Sequence, residues 1–260
     1  MANPMTQSTP EVRRSRGVYL LPNLFTTAAL FCGFYAIIAA LHGRFEPAAV
    51  AVFIAMVLDG LDGRVARLTH TESEFGAQYD SMADLVSFGL APALVMYEWA
   101  LGSMVGMGPF LAKLGWLAAF FYTVMAALRL ARFNVQIGIT DKRYFIGLPS
   151  PSAAAIVTGL VWFSTDLGLT GLQMLWPALI VTIGAGALMF SNILYFSFKQ
   201  LDLRGPVPFV AVLIVVLIFV FTSIDPPKVL FFGFLIYGLS GPVLFLWRWR
   251  RHARRQSENP

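Results

Sequence analysis

Four aspartates stand close together in a chain that otherwise avoids charge: Asp59, Asp62, Asp80 and Asp84. Each falls within or at the edge of an apolar run. An ionised aspartate at mid-bilayer costs roughly 2.5–3.5 kcal/mol even on the lenient insertion scale. Four uncompensated ones would cost on the order of 10 kcal/mol, comparable to the net stability of a whole domain. They need partners, and their spacing says which. On a helix turning about 100° per residue, Asp59 and Asp62 lie about 60° apart on one face. Gly63 and Ala66 fall within about 40° of Asp59, so small residues share that face. Asp80 and Asp84, spaced i and i+4, also share a face. A short connection, Leu68 to Gln78, joins the two segments as an antiparallel pair. Both acidic faces can then aim at one spot.

Carboxylates that converge without matching cations suit a hard metal ion. Two Mg2+ or Mn2+ ions would balance the four negative charges, and metals about 3.5–4 Å apart are the usual clamp for phosphoryl displacement. Small residues on the same face would let a nucleotide's phosphates approach the backbone. Spacing alone leaves rivals. The aspartates could form an ion or proton pathway in a transporter, pair with Arg64 and Arg67, or sit solvated at helix ends. Pairing is two charges short, and Asp59 and Asp62 sit inside their span. Transport stays open at this point.

The elements that must position these residues are membrane helices. Hydrophobic residues make up 57% of the chain and charged residues 13%, against about 25% charged in soluble domains. Mean hydropathy is +0.69. Such a chain has too little polar surface to stay in water. A span needs about 20 largely apolar residues, and runs of that kind recur. The expected fold class is all-α: a polytopic membrane helix bundle of about eight transmembrane helices. They fall roughly at 18–41, 46–67, 79–101, 110–132, 149–165, 172–197, 207–223 and 228–247. His42 to Pro47 breaks the first pair, and Asp225-Pro226-Pro227 breaks the last. No internal repeat or low-complexity tract is present. The expected organisation is a cytoplasmic segment over 1–17, a membrane core over 18–200, two additional helices over 201–247 and a basic tail over 248–260.

The net charge of +5 has a simpler cause than nucleic-acid binding. With the N-terminus in the cytoplasm and an even number of spans, all of the 19 Lys and Arg except Arg44, Lys113 and Lys228 fall on the cytoplasmic side, as the positive-inside rule requires. Trp99, Trp116, Trp162 and Trp176 then sit near the outer interface, and Trp247 and Trp249 near the inner one. The apolar run Val18 to Leu41 after Arg13, Arg14 and Arg16 is too long for a signal-peptide core and fits a retained first span. The basic tail from Arg248 to Arg255 suits anionic headgroups or a plain topology anchor. Cys32, the one cysteine, excludes an internal disulfide and a cysteine-built metal site.

The segment Asp59-Gly-Leu-Asp62-Gly63-Arg-Val-Ala66-Arg67, then eight residues, then Gly76-Ala-Gln-Tyr-Asp80-Ser-Met-Ala-Asp84, resembles the CDP-alcohol phosphotransferase signature D-x2-D-G-x2-A-R-x8-G-x3-D-x3-D. Every fixed position matches at every gap. Further stretches look like the serine-accepting branch of that family. They are Pro22-Asn23-Leu24-Phe25-Thr26, Phe31-Cys32-Gly33-Phe34, the run Glu74 to Gly89, Leu130-Ala131-Arg132-Phe133-Asn134 and Gly147-Leu148-Pro149-Ser150-Pro151. The resemblance implies transfer of the phosphatidyl group of CDP-diacylglycerol to the hydroxyl of L-serine, giving phosphatidylserine and CMP. It implies two divalent cations, Mg2+ or Mn2+, held by Asp59, Asp62 and Asp80, with Asp84 completing the site and acting as base. It implies that Gly63, Arg67 and Gly76 hold the CDP moiety, that Ser73 contacts a phosphate or the ribose, and that Asn23 and Thr26 line the nucleotide pocket. A homodimer in the bacterial cytoplasmic membrane, with the site facing the cytoplasm, completes the expectation. The nearest alternative is the same transfer to glycerol 3-phosphate, inositol phosphate or choline, because residues outside the signature choose the acceptor.

Serine must also be held by its charged ends. Arg129 and Arg132, i and i+3 at the end of the fourth span, are candidates for its carboxylate. A positive-inside anchor or a phosphate contact is the alternative. His70 is expected in a solvated loop. Glu98 lies some 27 Å from Asp80 at about 1.5 Å per residue, too far for the chemistry. Ser150 and Ser152 could line the site, though such residues more often satisfy a helix N-terminus.

Overall fold

Proline and glycine set the breaks between helices. The computed structural model describes residues 20–69, 73–136, 144–196 and 209–257. Helix α1, Leu20–Leu41, turns back through His42-Gly43-Arg44 into α2, Phe45–Thr69, with Gly43 at φ 70°. Helix α3, Glu74–Asp84, is capped by Ser73. It runs without a break into a π-helical turn, Leu85–Leu90, and then α4, Ala91–Trp99. A 3-10 segment, Leu101–Met107, bends off by 42°. The remaining helices are α5, Pro109–Gln136, α6, Ser150–Asp166, α7, Leu175–Phe190, α8, Phe209–Ile224, and α9, Pro226–Ser257.

The π turn has a cause in the sequence. Pro92 carries no N–H and its ring crowds the carbonyl four residues back, that of Phe88. The helix widens just ahead of it, and Ala91 N–H reaches back five residues to Val86 O. The freed Phe88 carbonyl accepts from Tyr122 Oη of α5 at 3.0 Å.

The helices meet through small residues, as helices do where lipid supplies no hydrophobic drive between them. Ala29, Ala36, Ala39 and Ala40 of α1 face Ala48, Ala51 and Ala55 of α2 in the buried core. A methyl group at Gly33 would lie 2.7 Å from Ser87 Cα, so α1 packs backbone-close on the π turn. Helix α9 is part of the bundle rather than an appendage: Phe231 stacks on Phe163 of α6 at 5.3 Å, and Tyr195 Oη donates to Gly238 O at 2.9 Å. Helix α8 packs against α9.

The chain is an all-α membrane protein, with a helix at each of the expected positions. Among the described residues, Pro22–Leu41, Pro109–Val135 and Pro226–Trp247 are long and apolar enough to cross a bilayer, and the bent pair Glu74–Trp99 with Leu101–Met107 makes a fourth. Helix α2 carries Asp59, Asp62 and Arg64 within its length. Helices α6, α7 and α8, at 17, 16 and 16 residues, are shorter than a full perpendicular span.

Two features differ from the sequence reading. The third expected helix begins at Glu74 and contains the π turn. A two-stranded ribbon was not anticipated: β1, Tyr144–Ile146, pairs antiparallel with β2, Leu194–Phe196, with Phe145 opposite Tyr195. The segment 1–17 with Arg13, Arg14 and Arg16, the loop residue His70 and the end of the basic tail lie outside the described residues. The backbone of α9 continues helically to Ser257.

Candidate active site

The ends of α2, α3, α5 and α6 enclose a cavity of about 540 Å3, closed on one side by β1. Asp59 and Asp62 reach it from the last turns of α2, Asp80 and Asp84 from α3, and Arg129 from the last turns of α5. All four expected carboxylates therefore line one space. Beside them the cavity lining is apolar and outward-facing, with Val57 and Leu61 of α2 60% and 40% exposed.

One oxygen each from Asp59, Asp62 and Asp80 lies within 4.8 Å of the others. A hard cation bound at about 2.0–2.6 Å holds its ligand oxygens no more than about 5 Å apart. The donor set therefore fits a divalent cation. Asp84 stands beside that trio, in hydrogen-bond contact with Asp59 and in the fields of Asp80 and Arg129. Two carboxylates in contact share a proton or a cation.

Thr26 has a more specific place than pocket lining. Its Oγ1 is 2.8 Å from Asp62 Oδ2 and 3.2 Å from Pro22 O. Thr26 and Asp62 are both buried, so this contact from α1 fixes the rotamer of a ligand on α2. Thr27 Oγ1 meets Tyr79 Oη at 2.9 Å, which ties α1 to α3 as well.

The α2 wall of the cavity is open beside the carboxylates. Gly60 and Gly63 line the cavity, and a methyl group at either would meet nothing within 4 Å. Arg67 also lines it, with Nε donating to Gly63 O at 2.8 Å. Ser73, Gly76 and Asn23 gather at the first turn of α3, away from the cavity lining. Ser73 Oγ accepts from Gly76 N–H at 3.0 Å, the bond that caps the helix. A methyl group at Gly76 would lie 3.1 Å from Ser73 Oγ and 3.5 Å from Asn23 Oδ1.

Arg129 and Arg132, equivalent by spacing, part company in space. Arg129 is buried in the cavity wall. Its Nη1 donates to Ser150 Oγ at 2.6 Å, and its Nε is buried with no hydrogen-bond partner among the described residues. Ser150 thus holds an arginine rather than only its own helix end. Arg132 turns to the ribbon. It donates to Ile146 O at 2.9 Å, Ser191 O at 3.2 Å, Phe190 O and Asn192 Oδ1 at 3.3 Å, and Met189 O at 3.4 Å. Its guanidinium lies over the Phe190 ring at 5.0 Å. Beside it Gly147, at φ 80°, passes so close to Met189 O that no side chain fits. The structure does not bring Arg132 to the cavity.

Sequence reasoning missed Phe145, Pro149 and Pro151, which line the cavity through the ribbon and the start of α6. It also missed Tyr122. Pro92 was the available signal for Tyr122, because a proline inside an apolar run leaves a carbonyl that some donor must meet. Glu98 is exposed near the end of α4, at the opposite end of that helical rod from Asp80.

A cavity lined by a carboxylate trio, bare helix backbone beside it and an arginine with one unpartnered donor can hold a metal-bound polyphosphate and a small anion together. The sequence profile of CDP-alcohol phosphatidyltransferases matches residues 19–240. Proteins of two Helicobacter pylori strains, both named CDP-diacylglycerol–serine O-phosphatidyltransferase, are 36% identical over 224 residues, covering 85% of this chain and 90% of theirs. A Mycobacterium leprae protein of the same name is 33% identical over 221 residues, 83% of this chain and 70% of its own. A Bacillus subtilis protein, also of that name, is 33% identical over 180 residues, 69% and 92% of the two chains.

Proposed function

We infer the reaction from one premise: the chain belongs to the CDP-alcohol phosphatidyltransferase family. It is a membrane enzyme that transfers the phosphatidyl group of CDP-diacylglycerol to the hydroxyl of L-serine, giving phosphatidylserine and CMP. The observation that carries this reading is the single cavity shared by the carboxylate trio and Arg129.

Asp59, Asp62 and Asp80 hold the divalent cations, with Asp84 completing the site through its contact with Asp59. When bound, Mg2+ or Mn2+ neutralises the pyrophosphate and the departing charge on CMP. We take two ions to be used, one for each pair of negative charges among the four aspartates. The bare surface at Gly60 and Gly63 admits the phosphates to the α2 backbone, and Arg67 donates to a phosphate oxygen. Asp84, outside the closest trio, takes the proton from the serine hydroxyl. The serine oxygen then bonds to the phosphorus that carries the diacylglycerol, and the bond from that phosphorus to the CMP oxygen breaks with its electron pair leaving on CMP. Arg129 holds the serine carboxylate, because it lines the cavity and its Nε is a buried donor without a partner among the described residues.

The exposed apolar wall at Val57 and Leu61 suits a donor whose acyl chains stay in the bilayer. We place the site at the cytoplasmic face of a bacterial cytoplasmic membrane, with all eight helical segments traversing it and both termini inside. In support, Arg44, Lys113 and Lys228 sit at the helix ends remote from the cavity, and among the described residues Arg64, Arg67, Arg129 and Arg132 sit toward the cavity ends of α2 and α5. The expected homodimer rests on the family alone.

The test offers purified enzyme CDP-diacylglycerol and Mn2+ or Mg2+ with serine, glycerol 3-phosphate, inositol phosphate or choline in turn, and measures CMP and the lipid product. CMP released with serine supports the reading. Release with a different acceptor reassigns the substrate, and ion flux without CMP from any acceptor returns the transporter.

A further inference from the structure

We propose that the π turn at Leu85–Leu90 is a positioning device for Asp80 and Asp84, and that Tyr122 is its lock. The proposal rests on the metal-binding reading of the aspartate cluster.

The turn stands immediately after Asp84 and before the buried helix α4. Widening a helix by one residue changes the phase between its two halves by about one residue's rotation, roughly 100°. Helix α4 is anchored by its own buried face, with Ala91, Ala93, Val95 and Met96 in the core. A regular α-helix through this stretch would therefore swing Asp80 and Asp84 about a quarter turn away from Asp59 and Asp62.

Two side chains hold the turn in its widened form. Tyr122, fully buried on α5, donates to the Phe88 carbonyl, to which Pro92 offers no i+4 N–H. Ser87 Oγ donates to Ala29 O of α1 at 3.1 Å. Close packing adds shape: Gly33 lets α1 press on Ser87, and a methyl group at Gly89 would come within 3.2 Å of Ala126 Cβ. The Tyr122 hydroxyl does not line the cavity. Its effect passes through the backbone to the ligands, which makes Tyr122 a positioning residue. Pro92 and Tyr122 form a matched pair, one opening a hydrogen bond and the other filling it.

Tyr122→Phe removes only the lock. Pro92→Ala restores an N–H that competes for Phe88 O and lets the stretch relax toward a regular helix. Both are compared with Thr182→Val, which deletes another fully buried hydroxyl, bonded to Ala178 O at 2.7 Å on α7. Mn2+ binding to the detergent-purified full chain is read by electron paramagnetic resonance titration, alongside CMP release and the thermal midpoint. Tyr122→Phe and Pro92→Ala should each weaken Mn2+ binding at least about fivefold and lower kcat at least about tenfold, since a misplacement near 1 Å can cost about a hundredfold. Thr182→Val should leave both within twofold. The thermal midpoint of Pro92→Ala should not fall below that of Thr182→Val, because a proline inside a helix is itself unfavourable. Ser87→Ala serves in place of any variant that does not fold, with the same expected losses. Mn2+ affinity within twofold of wild type in the folded variants overturns the proposal, as does an equal loss in Thr182→Val. Wild-type protein that binds no Mn2+ overturns the metal reading and this proposal together. Wild-type protein that binds Mn2+ but releases no CMP overturns the reaction alone, and the binding arm still decides the role of Tyr122.

Discussion

Arg129→Lys isolates the acceptor site. The substitution keeps the positive charge facing Asp84, so it avoids stranding a carboxylate, but it gives up the planar fork. In the native wall one arm of that fork is committed to Ser150 at 2.6 Å, and the buried Nε has no hydrogen-bond partner among the described residues; on the proposed function it serves the substrate. Hydrogen bonds to charged groups contribute about 1.5–3 kcal/mol. Losing one to the serine carboxylate should raise the serine KM about 10- to 150-fold at 1.36 kcal/mol per decade. The CDP-diacylglycerol KM should stay within about twofold, because the proposed nucleotide contacts come from α2 and Arg129 stands on α5. The assay varies serine at saturating CDP-diacylglycerol in mixed micelles and follows CMP. A parallel series with ethanolamine, which lacks the carboxylate, sharpens it: the preference for serine over ethanolamine should shrink in the variant by the same factor. An unchanged serine KM, or an equal rise in both KM values, refutes the assignment.

Asp84→Asn should lose most turnover, two orders of magnitude or more in kcat, with a much smaller loss of CDP-lipid affinity; equal losses in a binding titration and a rate assay would remove the division between base and ligands. Thr26→Val deletes the donor to Asp62 Oδ2 and should cost about 1 kcal/mol of stability together with a several-fold loss of Mn2+ affinity, checked by melting and metal titration. Arg132→Lys should lower the thermal midpoint through weakened contacts to the α7 end and the ribbon, a loss of about 1.5–3 kcal/mol, while the serine KM of the folded enzyme stays unchanged. A raised serine KM there would move the acceptor site toward the ribbon.

The carboxylate cluster was legible because it is a matter of helix phase. Intervals of three and four residues fix which side chains share a face, and a short connection fixes the antiparallel pairing, so the cavity could be outlined without coordinates. The helices were legible from apolar length. The π turn was not, because Leu85 to Leu90 is as apolar in one helical form as in another, and only Pro92 hinted at the change. The ribbon was hidden for a different reason: Tyr144-Phe145-Ile146 and Leu194-Tyr195-Phe196 are three residues each, and their pairing is far from local. Arg129 and Arg132 could not be told apart by spacing. What separates them is the packing of α5, which turns one toward Ser150 at the start of α6 and the other toward the end of α7. Thr26 was placed near the nucleotide by resemblance, and the structure adds its bond to Asp62, which spacing could not show.

The apolar sill formed by Val57 and Leu61 makes departure part of the kinetics. On the proposed reaction, tails of the incoming donor and of the finished phospholipid would pass the same doorway, and neither would leave the sheet in which it is dissolved. Arrivals and departures then compete in two dimensions, at rates set by mole fractions in the bilayer rather than by amounts per volume of buffer. On the proposed reaction, accumulating product would compete with fresh donor at that threshold, and its removal downstream would relieve the competition.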